Sequence, residues 1–189
     1  MSKIELTQLQ KEVLSFIGKG FFGKNFYWTG GTLLSYFYFS HRFSVDLDFF
    51  SDDLFKDDEY KENVKLEFVF FPFLAVEKRT EVKEFSVKAD SLKDIMVNKI
   101  LSTYQRNEVK DIYDLYWYLK NKPKDTLIKL IKLVEKKFGV AIEPVLLLEK
   151  INELCNNLDS LTPLLIEKSS AGLSNSFQNI SDSLQDLWQ

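Results

Sequence analysis

The sequence predicts an α+β fold, with a mixed sheet and flanking helices over residues 1–88 and a mostly helical region over 89–189. Three observations predict it. Ser44–Phe50 and Val64–Phe70 alternate apolar and polar residues with the two-residue period of a strand. The pair Gly30-Gly31 separates an aromatic, strand-like run from a helical one. From Asp90 onward the strand texture stops, and Ser91–Leu119, Asp125–Phe138 and Pro144–Leu158 all carry apolar residues at helical spacing.

Taken in order, Leu6, Leu9, Val13, Leu14 and Ile17 mark a first helix, which Gly18, Gly20 and Gly23 interrupt. Asn25–Thr29 reads as a short strand and Leu33–Phe39 as a helix. Ser44–Phe50 places Val45, Leu47 and Phe49 on one face and Asp46 and Asp48 on the other. A charged loop, Ser51–Asn63, separates it from Val64–Phe70, where Lys65 and Glu67 oppose Val64, Leu66, Phe68 and Phe70. Pro72 ends that run, and Glu81–Val87 is expected to be one further strand. The tail beyond Ser169 is rich in Ser and Asn but closes on an apolar spacing of Ile180, Leu184, Leu187 and Trp188.

Composition narrows the chemistry. With 25 Lys+Arg against 28 Asp+Glu the chain is near neutral, which argues against a generally basic nucleic-acid binder. The single cysteine, Cys155, excludes an internal disulfide framework and Cys-rich zinc sites, and the single histidine, His41, excludes multi-His metal sites. Met1–Gln10 is polar and no long apolar run follows, so a cytoplasmic protein without membrane association is expected. Carboxylates, lysines and glycines remain to carry function.

In a strand, Asp46 and Asp48 fall on one face about 6.5 Å apart along the chain. Carboxylates so close repel unless a cation joins them, and Mg²⁺ prefers such oxygen ligands together with substrate phosphates. An isolated Asp-x-Asp is equally compatible with a solvated face. Gly30-Gly31-Thr32, between a predicted strand and helix, offers backbone N–H groups to a phosphate; Thr32 would add a hydroxyl or simply cap the helix. The combination points to a metal–triphosphate site. Glu67, mid-strand on the face opposite its apolar neighbours, is the candidate third carboxylate of a two-metal site, or a surface residue paired with Lys65.

Gly30–Phe50, GGTLLSYFYFSHRFSVDLDFF, resembles the signature of the AbiEii-type nucleotidyltransferases, toxin components of toxin–antitoxin systems within the polymerase-beta-like superfamily. The matching residues are Gly30, Gly31, Thr32, His41, Arg42, Ser44, Asp46, Leu47, Asp48, Phe49 and Phe50. Lys65–Phe68 with Phe71-Pro72, then Lys99, Arg106 and the run Lys110–Leu115, follow in the family's order, so the resemblance spans Asn25–Leu119. It implies a polymerase-beta-like core followed by a small helical bundle that contributes to the active-site cleft. It also implies that Asp46 and Asp48 bind Mg²⁺, that Gly30–Thr32 contact nucleotide phosphates, that Lys99 reaches the triphosphate and that Asp111 or Asp114 completes the pocket. Glu67 stands where many relatives carry Asp.

Other residues read more plainly. Lys99, Arg106, Lys110 and Asp114 are spaced near whole helical turns and can share one face, as a nucleotide-binding row or a solvated one. His41 suits a helix C-terminal cap as well as a ligand, and Arg42 suits a partner for Asp46, Asp48 or a phosphate. Cys155 reads as a buried small hydrophobe. The lysines of Lys120–Lys137 form either a strip for RNA or a solvated helix face. The expected function is Mg²⁺-dependent transfer of a nucleoside monophosphate from an NTP to a hydroxyl of RNA, such as a tRNA end, or of a protein. The expected partner is an antitoxin protein. The competing readings are a catalytically inactive nucleotide- or partner-binding module, and a Mg²⁺-dependent phosphohydrolase or nuclease.

Overall fold

The computed structural model describes residues 4–20, 22–54, 65–123 and 125–165. The chain forms two compact units, Met1–Ile95 and Met96–Gln189.

The first unit is built on a five-stranded mixed sheet in the order β3-β2-β1-β5-β4. The strands are β1 (Tyr27–Thr29), β2 (Leu47–Ser51), β3 (Leu66–Phe70), β4 (Thr80–Val82) and β5 (Val87–Ala89). β1 runs antiparallel to β2 and parallel to β5; β2 and β3 are parallel, and β4 and β5 antiparallel. Helix α1 (Gln8–Lys19) opens on a capping box in which Thr7 and Gln10 satisfy each other's groups at the N-terminus. Its buried face, Leu14 and Ile17, matches the predicted spacing. Gly18 lies so close to the β5 side that a Cβ would stand 1.8 Å from the Phe85 carbonyl oxygen, so only glycine lets α1 approach there. Short helix α2 (Phe22–Asn25) leads to β1. The abundant phenylalanines pack on one another: Phe68 stacks on Phe49 with ring centres 5.4 Å apart and meets Phe26 edge-on at 5.0 Å.

The expected strand over Glu81–Val87 is two strands. Residues 83–86 turn between them, with Ser86 at a φ of 55°, because Val82, Phe85 and Val87 all bury while Lys83, Glu84 and Ser86 stay in water. The run expected to be an α-helix over Leu33–Phe39 is helical from Gly30: α3 (Gly30–Leu33) passes into a π-helical segment, Leu34–Phe39. The wider π turn ends at Ser40 (φ 52°), whose N–H donates to the Ser35 carbonyl. It lets Tyr36 reach the Glu84 carboxylate at 2.5 Å and Tyr38 the Asp90 carbonyl at 2.8 Å, tying the segment to the sheet's β4–β5 side.

Helix α4 (Leu92–Gln105) begins on Ser91, whose hydroxyl accepts the Asp94 N–H at 3.0 Å. The second unit continues with α5 (Val109–Leu119), α6 (Thr126–Phe138) and α7 (Pro144–Cys155), followed by a 3₁₀ segment, Leu158–Leu164. The predicted continuous helix over Ser91–Leu119 is thus broken at 106–108. α6 ends at Gly139 in the left-handed conformation, and Pro144 stands at the first position of α7. α5 packs on α7 and on the 3₁₀ segment, with Ile112, Leu115, Leu147 and Ile151 buried. The apolar tail Ile180–Trp188 and the loop residues 55–64 lie outside the described residues. Among the described residues no helix is long and apolar enough to cross a membrane.

Candidate active site

In the first unit, eight of the predicted site residues gather around the start of β2. The register pairs Thr29 of β1 with Asp48, and Asp48 with Glu67 of β3, so the two carboxylate residues are neighbours across adjacent parallel strands. Strand β2 alternates buried and half-buried residues: Leu47, Phe49 and Ser51 face inward and Asp48 and Phe50 do not. Asp46 precedes the strand by one residue and is half-buried like Asp48. Val45, expected on the inner face with Leu47 and Phe49, is instead 70% exposed, since the strand begins only at Leu47.

The glycine turn is shaped by these side chains. Gly30 has a φ of +78°, and a Cβ there would stand 1.8 Å from Asp48 Oδ2, so the carboxylate lies directly over its Cα. A Cβ on Gly31 would stand 2.6 Å from an Arg42 guanidinium nitrogen and 3.1 Å from the Ser44 hydroxyl. Gly30 therefore faces Asp48, and Gly31 faces Arg42 and Ser44. Arg42 is buried, and its Nη1 donates to the Phe43 carbonyl at 3.2 Å. Thr32 does not cap the helix. Its hydroxyl donates to the Asp46 main-chain carbonyl, and the N-cap position is Thr29, whose hydroxyl donates to the buried Asp90 carboxylate at 2.9 Å. His41 is not the C-cap either; Ser40 is, and the buried His41 ring meets Phe39 edge-on at 5.5 Å.

Glu67 has two neighbours that bear on its expected roles. It neighbours Asp48 in the sheet, and it also pairs with Lys65 at 2.5 Å. The Lys65 ammonium is held above its ordinary value first by the hydrogen bond to Glu67 and then by the charges of Glu67, Asp46 and Asp48. A cation therefore already sits in the combined field of these carboxylates. Among the described residues no three acidic, His or Cys side chains converge as a metal-holding cluster. Carboxylate oxygens suit a hard cation; the residues that would supply them are Asp46 and Asp48, with Glu67 in register beside Asp48.

The remaining predicted residues belong to the second unit. Lys99 lies between two fully buried carboxylates, 2.5 Å from Asp111 and 2.9 Å from Asp114. Arg106 also reaches Asp111, at 2.9 Å. Lys99, Arg106, Asp111 and Asp114 thus form one ion-pair network between α4 and α5. Lys110 turns away from it and stands 3.8 Å from Glu108. The helical spacing of Lys99, Arg106 and Asp114 had admitted a solvated face; the buried pairing excludes that for Lys99 and Asp114.

Sequence reasoning missed Gln10, whose buried side-chain amide donates to the Val45 carbonyl at 3.1 Å and the Ser44 carbonyl at 3.4 Å. Its only trace was the Thr7-x-x-Gln10 capping pattern. Arg79 was also missed: it forks onto Asp52 at 2.6 and 2.8 Å with its guanidinium 3.4 Å above the Tyr27 ring.

The mixed five-stranded sheet with its flanking helices is a nucleotidyltransferase-like fold. Two Helicobacter pylori crystal structures share the fold. JHP933 superposes with a TM-score of 0.54 at 16% identity, covering 97% of this chain and 96% of that one. A candidate nucleotidyltransferase superposes with a TM-score of 0.52 at 16% identity, covering 96% and 99%. An uncharacterised Aquifex aeolicus (strain VF5) protein, aq_aa25, is 28% identical over 159 residues, 71% of this chain and 76% of that one. The model of the family described as nucleotidyl transferase AbiEii toxin, type IV toxin–antitoxin system, matches residues 13–69 and 54–183. The chain belongs to the AbiEii family.

Proposed function

We propose that this chain transfers a nucleoside monophosphate from an NTP to an acceptor hydroxyl, releasing pyrophosphate, and that it is the toxin of a toxin–antitoxin pair neutralised by a separate antitoxin protein. The observation that carries the reading is Asp48, held over Gly30 and in register with Glu67, with Asp46 two residues before it. Asp46, Asp48 and Glu67 are the residues that would hold Mg²⁺; when bound, it neutralises charge on the triphosphate oxygens. Gly30, Gly31 and Thr32, with Arg42 and Ser44, would bind and orient the phosphates. Lys99, Lys110, Asp111 and Asp114 are assigned to the nucleotide by the family resemblance, the first, third and fourth from one buried ion-pair network. In the reaction an acceptor O–Pα bond forms as the Pα–O bond to pyrophosphate breaks. The acceptor's hydroxyl proton passes to one of the carboxylates, and the rest of the work is positioning. The acceptor is RNA, such as a tRNA end, or a protein side chain.

The test is incubation with Mg²⁺, each α-labelled NTP and total cellular RNA, beside an Asp46→Ala/Asp48→Ala double variant. Label in RNA or protein with wild type only is the expected result; none with either protein refutes the reading. A second reading, a nucleotide- or partner-binding module without turnover, is favoured by the Lys65–Glu67 pair, which occupies the third carboxylate with a protein cation. Tight NTP binding without any product would select it.

A further inference from the structure

We infer that Gln10, on a helix outside the nucleotide- and metal-binding set, is the positioning residue for Asp46; the inference rests on the carboxylate reading above. The β2 ladder begins at Leu47, whose N–H donates to the Lys65 carbonyl at 3.0 Å. Ser44, Val45 and Asp46 therefore stand ahead of the strand, where the ladder does not hold their carbonyls. Side chains meet them. The Gln10 amide donates to the carbonyls of Ser44 and Val45, and the Thr32 hydroxyl donates to that of Asp46. Apolar packing does not hold this stretch, because Phe43 is 52% and Val45 70% exposed. Three successive carbonyls are thus fixed by polar side chains from two elements, and the direction of the Asp46 carboxylate depends on them. Gln10 is itself locked: it is 4% exposed, and its Oε1 accepts the Thr7 N–H at 2.9 Å and the Thr7 hydroxyl at 3.2 Å. The amide consequently does two separable things. Its oxygen completes the cap of α1, while its nitrogen holds the segment that carries Asp46.

Three variants separate the two. Gln10→Glu keeps oxygen acceptors for Thr7 but sets an oxygen against the Ser44 and Val45 carbonyls. Gln10→Ala removes both roles, and Thr7→Ala removes the cap alone. Mn²⁺ binding to the nucleotide-free protein, followed by electron paramagnetic resonance, is read beside the Mg²⁺ dependence of NTP incorporation and the melting temperature. The expected result is a rise of about 10–100-fold in the Mn²⁺ dissociation constant and in the Mg²⁺ needed for half-maximal rate for both Gln10 variants. Thr7→Ala should lower the melting temperature and leave metal binding unchanged. The inference is overturned if folded Gln10→Glu binds Mn²⁺ as tightly as wild type, or if Thr7→Ala weakens binding as much as the Gln10 variants do. If wild type fails to bind Mn²⁺, or Asp46→Ala binds it equally well, the carboxylate reading falls first and takes this inference with it.

Discussion

Substituting Gly30 by alanine tests the site through two effects of calculable size. At a φ of +78° the new side chain adopts the left-handed conformation, which costs an L-residue about 1–2 kcal/mol. The new Cβ would also stand 1.8 Å from Asp48 Oδ2 and 2.7 Å from its Cγ, so the carboxylate must retreat by about 1.6 Å to reach ordinary contact at 3.4 Å. The first effect lowers the melting temperature by roughly 2–8 °C in a chain of this size. The second misplaces a group whose position is the proposed basis of catalysis, and a displacement of about 1 Å can cost on the order of 100-fold in rate. That is about 2.7 kcal/mol of transition-state stabilisation. Gly139→Ala is the control: its φ is +66°, and a Cβ there meets nothing within 4 Å. It should lose stability of the same order and keep its activity. Label incorporation from α-labelled NTPs and thermal denaturation are measured on both variants. A Gly30→Ala protein that incorporates label at the wild-type rate would refute the placement of Asp48, as would equal activity losses at Gly30 and Gly139.

Gly31→Ala sets its Cβ against the Arg42 guanidinium and the Ser44 hydroxyl, so it should raise the KM for NTP by displacing them, measured by steady-state kinetics beside melting. Asp111→Ala removes a partner of the buried Lys99 and of Arg106; a loss of about 3–5 kcal/mol in urea unfolding is expected. Burial pushes the Cys155 thiol from 9.0 up to about 11, so alkylation near pH 8 should be about 100-fold slower in the native than in the unfolded chain. Burial, then the hydrogen bond to Glu84, pushes Tyr36 from 10.0 up to about 12, and burial, then the Asp90 charge, does the same for Tyr38. In each case the unfolded chain releases its proton first. Stability is therefore full below about pH 9 and falls as pH rises through 9–12, which denaturant titrations across that range will show.

The elements that were legible in the sequence are those whose burial pattern is local. Leu14 and Ile17 bury on α1, and Leu47 and Phe49 on β2, as their spacing predicts, because one face of each meets the core and the other meets water. The hairpin over Thr80–Ala89 was misread as one strand because its turn has none of the usual Gly, Pro or Asn signals; Ser86 takes the left-handed conformation instead. The π-helical turn was equally hidden. An extra residue per turn leaves no mark on a run as uniformly apolar and aromatic as Leu34–Phe39. The pairing of Asp48 with Glu67 was visible only as a shared polar face, since the register between two strands depends on which residues bury together, not on either strand alone.

The same distinction explains why the carboxylates could be read and their supports could not. Asp46 and Asp48 show because strand alternation sets them side by side, but Asp46 lies ahead of the ladder that makes alternation meaningful. What holds it there comes from 36 residues upstream, at Gln10, and from 14 upstream, at Thr32, through hydrogen bonds to main-chain atoms that any residue type supplies. Such an anchor has no signature at the position it acts on. Arg79 presents the same problem: it bridges Asp52 across 27 residues and covers Tyr27, contacts that no local pattern around Arg79 announces. If Arg79 earns its place through that fork and not through charge alone, Arg79→Lys, which keeps the charge and loses the bidentate geometry, should destabilise the first unit nearly as much as Arg79→Ala. A lysine variant that melts with wild type would mean that charge at this position suffices.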